Sequence, residues 1–368
     1  MKESLEVFVT KAYDGSLELP ETFDCTWTSL HEEDELAFKT RLLEPDVDLV
    51  VDDMCHILSW VGVFCNKHGV PNVRFAPSIL YLVLAKKGLL ELWDQCMAAP
   101  IGPPPAEVSG EVPKLAEQDF VPVCDFAPQH RFYTIMPDLL QAHGVAIDKE
   151  MNFENDAGEQ CQIVGPLYNS NDSLICQDFK ESGLKAWCDE APFVYISLGS
   201  MVSQVAQTRA SLQEHLRKLL DAMVNRRVLI NVNLPGYPKR DNLNMAGWVP
   251  QKAILSHGNL QCFVSHCGQG GVSEALLFDV PIVAYPFFHD QIALAESIEK
   301  LGCGSWLQRF DHGPGIPVAE AELAIEQAVA AKQRARELGT KARAMNGLNV
   351  AYAKIQELIR WSQEHPRK

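Results

Sequence analysis

The stretch HCGQGGVSEALLFDVPIVAYPFFHDQ, residues 266–291, follows directly on the apolar run LQCFVSH (260–266). That run has the length and apolar content of a buried strand, and the pattern after it predicts a helix from about Val272. Between them stand His266, Gly268, Gly270 and Gly271. Glycines at a strand-to-helix turn let the backbone approach a ligand closely, and the unpaired N–H groups of the helix's first turn attract an anion. His266 is placed to donate a further hydrogen bond to such an anion. Glu274, expected in the first turn, is ill suited to face a phosphate but well suited to accept from a ribose hydroxyl. The same residues also fit an ordinary turn, with a strand-end histidine and an acid complementing the helix dipole. A glycine-rich turn alone does not decide between the two.

Working outward, apolar runs alternate with helical patterns for most of the chain, the mark of parallel sheets built from βαβ units. Strands are predicted at 47–52, 70–77, 131–137, 160–167, 193–200, 227–233, 260–266 and 280–286, and a helix at 58–69. Leu212, Leu216, Leu219, Leu220 and Met223 fall on one face of a further helix, and Val350, Ala351, Ile355, Leu358 and Ile359 on one stripe of the last, about 348–363. The Pro-rich stretch 101–122 reads as a long loop. The polar stretch 168–182 reads as a linker, which gives an N-terminal domain over 1–167, a second over 183–347 and a C-terminal helix over 348–368. The expected fold is α/β, with two doubly wound domains facing a cleft and ligands held at the carboxyl ends of the strands.

A chain of 368 residues exceeds what a single core usually serves. Its formal charge of −16 disfavours nucleic acid and anionic lipid, both of which are bound through excess Lys and Arg. Eleven scattered cysteines without a CxxC pair suit a reduced, cytoplasmic protein. No stretch reaches the ~18 uninterrupted apolar residues of a membrane span.

Upstream, GWVPQ (247–251) places Trp248 to stack on a flat base and Gln251 to offer both donor and acceptor to a base edge, although Trp248 also fits a core position. W-V-P-Q, H-C-G, E-A-L, V-P-I-V, Y-P-F-F and D-Q together resemble the donor-binding signature of the UDP-dependent glycosyltransferases, from Trp248 to Gln291 without insertion. GPL (165–167), WCD (187–189), FVYISLGS (193–200), DLVVDDM and HGVPNVRFAPS are similar to other parts of that family. The resemblance implies a GT-B fold and a C-terminal helix that crosses back onto the N-terminal domain. It also implies transfer of a hexose, glucose by analogy with Gln291, from a UDP-sugar to a small lipophilic acceptor with inversion, and no metal or other cofactor. By the same resemblance Trp248 would stack on uracil, and Gln251 would hold its edge or the ribose. Ser200, His266, Gly268, Gly270 and Gly271 would bind the diphosphate, Glu274 the ribose, and Asp290 and Gln291 the sugar. Gln269, Gly270 and Gly271 depart from the plant-type Trp-Asn-Ser, so the phosphate contact there is expected from backbone amides.

Family members open with a strand and a glycine-histidine turn whose histidine is the general base for the acceptor hydroxyl. Residues 1–44 instead read as a segment beyond the first βα unit, which leaves the N-terminal domain incomplete, and His31, His56, His68 and His143 do not match that turn. Asp52 matches the acid that would orient the missing histidine, and equally suits a strand-end cap. The expected protein is thus a monomeric UDP-sugar transferase. The alternative is a UDP-sugar-binding pseudoenzyme or fragment without its base.

Overall fold

A computed structural model describes residues 7–10, 25–28, 43, 47, 49–53, 65, 68–76, 130–154, 160–167, 179, 183–199, 210–247, 249–287, 290–307 and 316–365. The chain divides into two compact units. One holds 1–74, 126–129 and 355–368, and the other 75–125 and 130–354.

In the smaller unit β1 (Val7–Thr10) runs parallel to β2 (Cys25–Thr28), pairing Val7 with Cys25 and Thr10 with Thr28. β3 (Val50–Asp53) lies beside β4 (Asn72–Ala76), and the Val50 amide donates to the Pro71 carbonyl just before β4. The helix expected over 58–69 lies outside the described residues except for a helical, buried Cys65 and the turn at 68–69. The long loop expected over 101–122 lies outside them altogether.

In the larger unit β5 (His130–Tyr133) pairs in parallel with β7 (Gln160–Ile163), and the short β6 (Asn152–Glu154) pairs antiparallel with β7. Between β5 and β6 lies α1 (Pro137–Gln141), opened by a proline at a position where its missing N–H costs nothing. After α2 (Gly183–Glu190) comes a six-stranded parallel sheet. Its strands in chain order are β8 (Phe193–Ser197), β9 (Val228–Ile230), β10 (Leu243–Met245), β11 (Leu260–Ser265), β12 (Ile282–Ala284) and β13 (Gly304–Trp306). Their spatial order, β10-β9-β8-β11-β12-β13, is the doubly wound order 3-2-1-4-5-6. All five pairings are parallel. The order reverses between β8 and β11, where crossovers leave to opposite sides and open a crevice at the strands' carboxyl ends.

The helices of this unit are α3 (Ala210–Ala222), α4 (Gln251–Leu255), α5 (Gln269–Leu277), α6 (Asp290–Leu301), α7 (Val318–Ala330) and α8 (Lys332–Ala344). The last, α9 (Gly347–Glu364), begins here and runs into the residues grouped with the smaller unit. Because successive strand residues face opposite sides, Val194, Ile196 and Leu198 enter one core with Leu216, Leu219 and Leu220 of α3 and Ala324, Ile325 and Ala328 of α7. Tyr195 and Ser197 are left to the other face, where Tyr195 stacks on Phe263 of β11 at 5.2 Å between ring centres. The predicted apolar faces of α3 and α9 are buried or half-buried as expected.

The units do not divide at the expected bounds of 167 and 182. Residues 130–167 lie in the same unit as the six-stranded sheet, and local polar contacts give the reason. The Leu139 carbonyl of α1 accepts from Ser297 Oγ of α6, His143 Nε2 meets Ser297 Oγ at 2.8 Å and the Ala293 carbonyl at 2.9 Å, and Lys341 pairs with Asp138 at 2.7 Å. Of the expected linker only Phe179 is described. It is buried, with its ring edge against His257.

Candidate functional site

At the strand-order reversal the larger unit has a cavity of about 1060 Å³. Its walls come from the ends of β8 and β9, the start of α4 and the β11–α5 turn. The turn is built by a backbone feature that sequence patterning did not single out. Cys267 adopts φ +64, a left-handed conformation that few non-glycine residues take, and its amide is held by Ser265 Oγ at 3.0 Å. This bend ends β11 and starts α5 within three residues.

The helix starts earlier than expected. α5 begins at Gln269, so Gly270 and Gly271 lie inside its first turn and Glu274 falls in the second turn, which corrects its predicted first-turn position. Glycine is a poor helix former, yet packing does not demand it here: a Cβ at Gly271 would meet Ser265 Oγ and the Phe263 ring at an ordinary 3.5 and 3.6 Å, and one at Gly270 would meet nothing within 4 Å. The N-cap is Gly268, which supplies no side-chain acceptor. The first intrahelical bond runs from the Val272 amide to the Gly268 carbonyl, at 3.0 Å. The amides of residues 269–271 therefore face the cavity mouth without an intrahelical partner, the arrangement that binds an anion.

His266 stands over this helix end. Its Nε2 lies in the space where side chains at Gly199 and Gly268 would be, and Gly199 has φ +78, so both positions require glycine. Burial lowers its pKa to about 4, with the Ser197 backbone acting the other way. The ring is therefore neutral at pH 7, a hydrogen-bond donor without a full charge. Nδ1 is buried with no hydrogen-bond partner among the described residues.

On the opposite wall Gln251, the first residue of α4, donates through Nε2 to Glu274 Oε2 at 2.7 Å and accepts through Oε1 from the Tyr195 hydroxyl at 3.1 Å. The cavity thus brings together six of the predicted residues: Gln251, His266, Gly268, Gly270, Gly271 and Glu274. Ser200 and Trp248 lie outside the described residues, as do the side chains of Asp52 in β3 and Asp290 at the start of α6. Gln291 is buried, and its Oε1 accepts from the Phe287 amide at 2.9 Å. It is not among the described residues that line the cavity. Tyr195, Ser197 and Asn231 do line it and were not predicted. A strand buried on both faces has no polar alternation to single them out.

Among the described residues no group of three or more His, Cys, Asp or Glu is arranged to hold a metal ion, and no helix is long and apolar enough to cross a membrane.

A parallel α/β sheet in this strand order defines a Rossmann-like domain, and the comparisons extend that class to the GT-B glycosyltransferase fold. The structure of Phytolacca americana UGT2, complexed with UDP-2fluoro-glucose and pterostilbene, matches with a TM-score of 0.64 at 16% identity, over 93% of this chain and 88% of that one. Residues 150–310 match the family model described as UDP-glucoronosyl and UDP-glucosyl transferase. UDP-glycosyltransferase 708G2 of Citrus unshiu is 25% identical over 327 residues, 77% of this chain and 67% of that protein. UDP-glycosyltransferase 71B5 of Arabidopsis thaliana is 29% identical over 190 residues, 45% of this chain, and the match spans 39% of its own length. Over residues 150–310 the chain is thus similar to the UDP-glucoronosyl and UDP-glucosyl transferase family, and its fold is that of the GT-B glycosyltransferases.

Proposed function

We propose that this chain binds a UDP-sugar in the switch-point cavity and transfers the hexose, glucose by analogy, to a hydroxyl of a small lipophilic acceptor with inversion at the anomeric carbon. The observation that carries the reading is the pairing, across one cavity, of an uncapped α5 N-terminus under a neutral His266 with the Gln251–Glu274 carboxamide–carboxylate pair. The first suits a diphosphate and the second a nucleoside, which presents hydroxyls and a hydrogen-bonding base edge.

In the transfer, the bond from the anomeric carbon to the diphosphate oxygen breaks as the acceptor oxygen attacks from the opposite face. Negative charge grows on the departing diphosphate. The amides of residues 269–271 and the N–H of His266 are fixed before reaction and meet that charge without reorganising, which is where preorganised donors contribute most. Trp248 would cover the base, Ser200 would add a donor to the diphosphate, and Asp290 would meet the sugar hydroxyls. Gln291 is better placed to hold the Phe287 backbone that shapes the turn before α6. The acceptor hydroxyl must give up its proton to a base as it attacks; Asp52 would orient a histidine in that role, but His31, His56, His68 and His143 do not match it, so the base would have to come from outside this sequence.

Mass spectrometry of the chain incubated with UDP-glucose and a panel of small phenols and alcohols tests the proposal. A hexose-shifted acceptor, with the β-linkage read from its anomeric proton coupling, supports it. Absence of both glycoside and released sugar, under conditions where UDP binds, removes the transferase reading of this chain.

A further inference from the structure

The cavity wall carries a hydrogen-bond chain longer than the pair at its end. Asn231 Nδ2 donates to Ser197 Oγ at 2.9 Å, the Ser197 hydroxyl bonds the Tyr195 hydroxyl, Tyr195 donates to Gln251 Oε1, and Gln251 Nε2 donates to Glu274 Oε2. All five residues line the cavity. They come from the ends of β9 and β8 and from α4 and α5, and Tyr195 is fully buried.

The direction of the chain is fixed from one end. A carboxylate only accepts, so Gln251 must turn its NH₂ to Glu274, and its carbonyl oxygen then faces Tyr195. The tyrosine must donate to that oxygen, so it accepts from Ser197, which accepts in turn from Asn231. Burial holds the Tyr195 phenol protonated, as a donor must be, and the Glu274 charge adds to this. Without the tyrosine donor, the soft terminal torsion of Gln251 is free to swing its oxygen toward Glu274, where two acceptors repel.

Resting on the UDP-sugar reading above, we infer that Tyr195 is a positioning residue for nucleoside recognition. It touches no ligand itself. It locks the Gln251 carboxamide so that the Glu274 carboxylate is held on Oε2 and leaves Oε1 for a ligand hydroxyl, the 2′-OH of a ribonucleoside diphosphate. The lock thereby sets the preference for ribose over deoxyribose.

Calorimetric titration of UDP and of 2′-deoxy-UDP into the full chain reads this directly. The wild type should prefer UDP by about tenfold, the worth of one hydrogen bond to a charged group. Tyr195→Phe keeps the ring and its stacking on Phe263. It should weaken UDP about fivefold, the worth of one neutral hydrogen bond, while leaving 2′-deoxy-UDP nearly unchanged. In a Gln251→Ala background the same substitution should add nothing, because its effect passes through Gln251. Equal weakening of both nucleotides, or additive losses in the double variant, overturns the inference while leaving the UDP site standing. A wild type that binds neither nucleotide overturns the site and the inference together. If Tyr195→Phe does not keep the wild-type melting profile, Ser197→Ala carries the test: a narrowed UDP preference supports the lock, and an unchanged one overturns it.

Discussion

The imidazole of His266 occupies the space that a side chain at Gly199 would need. His266 comes just after β11 and Gly199 just after β8, the central strand pair of the sheet. Gly199→Ala should therefore lower stability, by about 1–3 kcal/mol for a side chain forced to positive φ, and should abolish UDP binding by displacing the ring. Adding His266→Ala to it should recover part of the stability but none of the binding. Urea melts and UDP titrations of the single and double variants check both halves.

The pH dependence of folding follows from two histidines. Burial lowers the pKa of His266 and His215 from the ordinary 6.5 to about 4. His215 meets the buried Tyr285 hydroxyl, whose own pKa burial raises. Between pH 6.5 and 4 the unfolded chain binds protons at these sites that the folded chain refuses. Stability is thus complete above about pH 6.5 and falls as the pH drops toward 4. Urea midpoints at pH 7.5, 6 and 5 should decline in that order. The slope should flatten in a His266→Gln variant that still folds, and a flat wild-type profile contradicts the burial of both rings.

Strands β8, β9, β11 and β12 were legible because each is an apolar run flanked by polar residues, and the run into His266 ends where the cavity lies. β6, β10 and β13 were not legible. Asn152–Glu154, Leu243–Met245 and Gly304–Trp306 are three residues each and owe their extended form to a neighbouring strand. The start of α5 was misplaced because Gly270 and Gly271 read locally as a turn, whereas both lie in the first turn of the helix. Of the residues legible from the signature, Gln251, His266, Gly268, Gly270, Gly271 and Glu274 line the cavity, and Gln291 does not. Tyr195, Ser197 and Asn231 acquire their meaning only from the sheet order that brings them beside Gln251.

The start of α9 depends on a close backbone contact. A Cβ at Gly347 would strike the Pro166 carbonyl and the Gly165 backbone, and Gly165, at φ +89, has Met345 packed against it in turn. Gly347→Ala should cost about 1–3 kcal/mol through overpacking against backbone that cannot yield. It should leave UDP affinity within a factor of about two, since neither residue lines the cavity. Thermal melts with and without UDP separate the two effects, and a large loss of affinity contradicts the independence of this contact from the site.

Arg226 joins the turn after α3 to α7. Its Nε donates to Glu322 at 2.6 Å, and its guanidinium lies 3.7 Å from Glu326, with both Arg226 and Glu322 largely withdrawn from solvent. Arg226→Ala leaves a half-buried carboxylate without its partner and should destabilise by about 1–3 kcal/mol, more than an exposed pair would. The double variant Arg226→Ala/Glu322→Gln should regain part of that loss, as urea midpoints would show.

The central claim is that the β11–α5 turn is a diphosphate site. A crystal structure of the chain grown with UDP tests it most directly. The account predicts the diphosphate at the N-terminus of α5, within hydrogen-bond distance of His266 Nε2 and of amides in 269–271, with a ribose hydroxyl on Glu274. A UDP whose phosphates lie elsewhere, leaving His266 and the α5 amides without an anion, would contradict it.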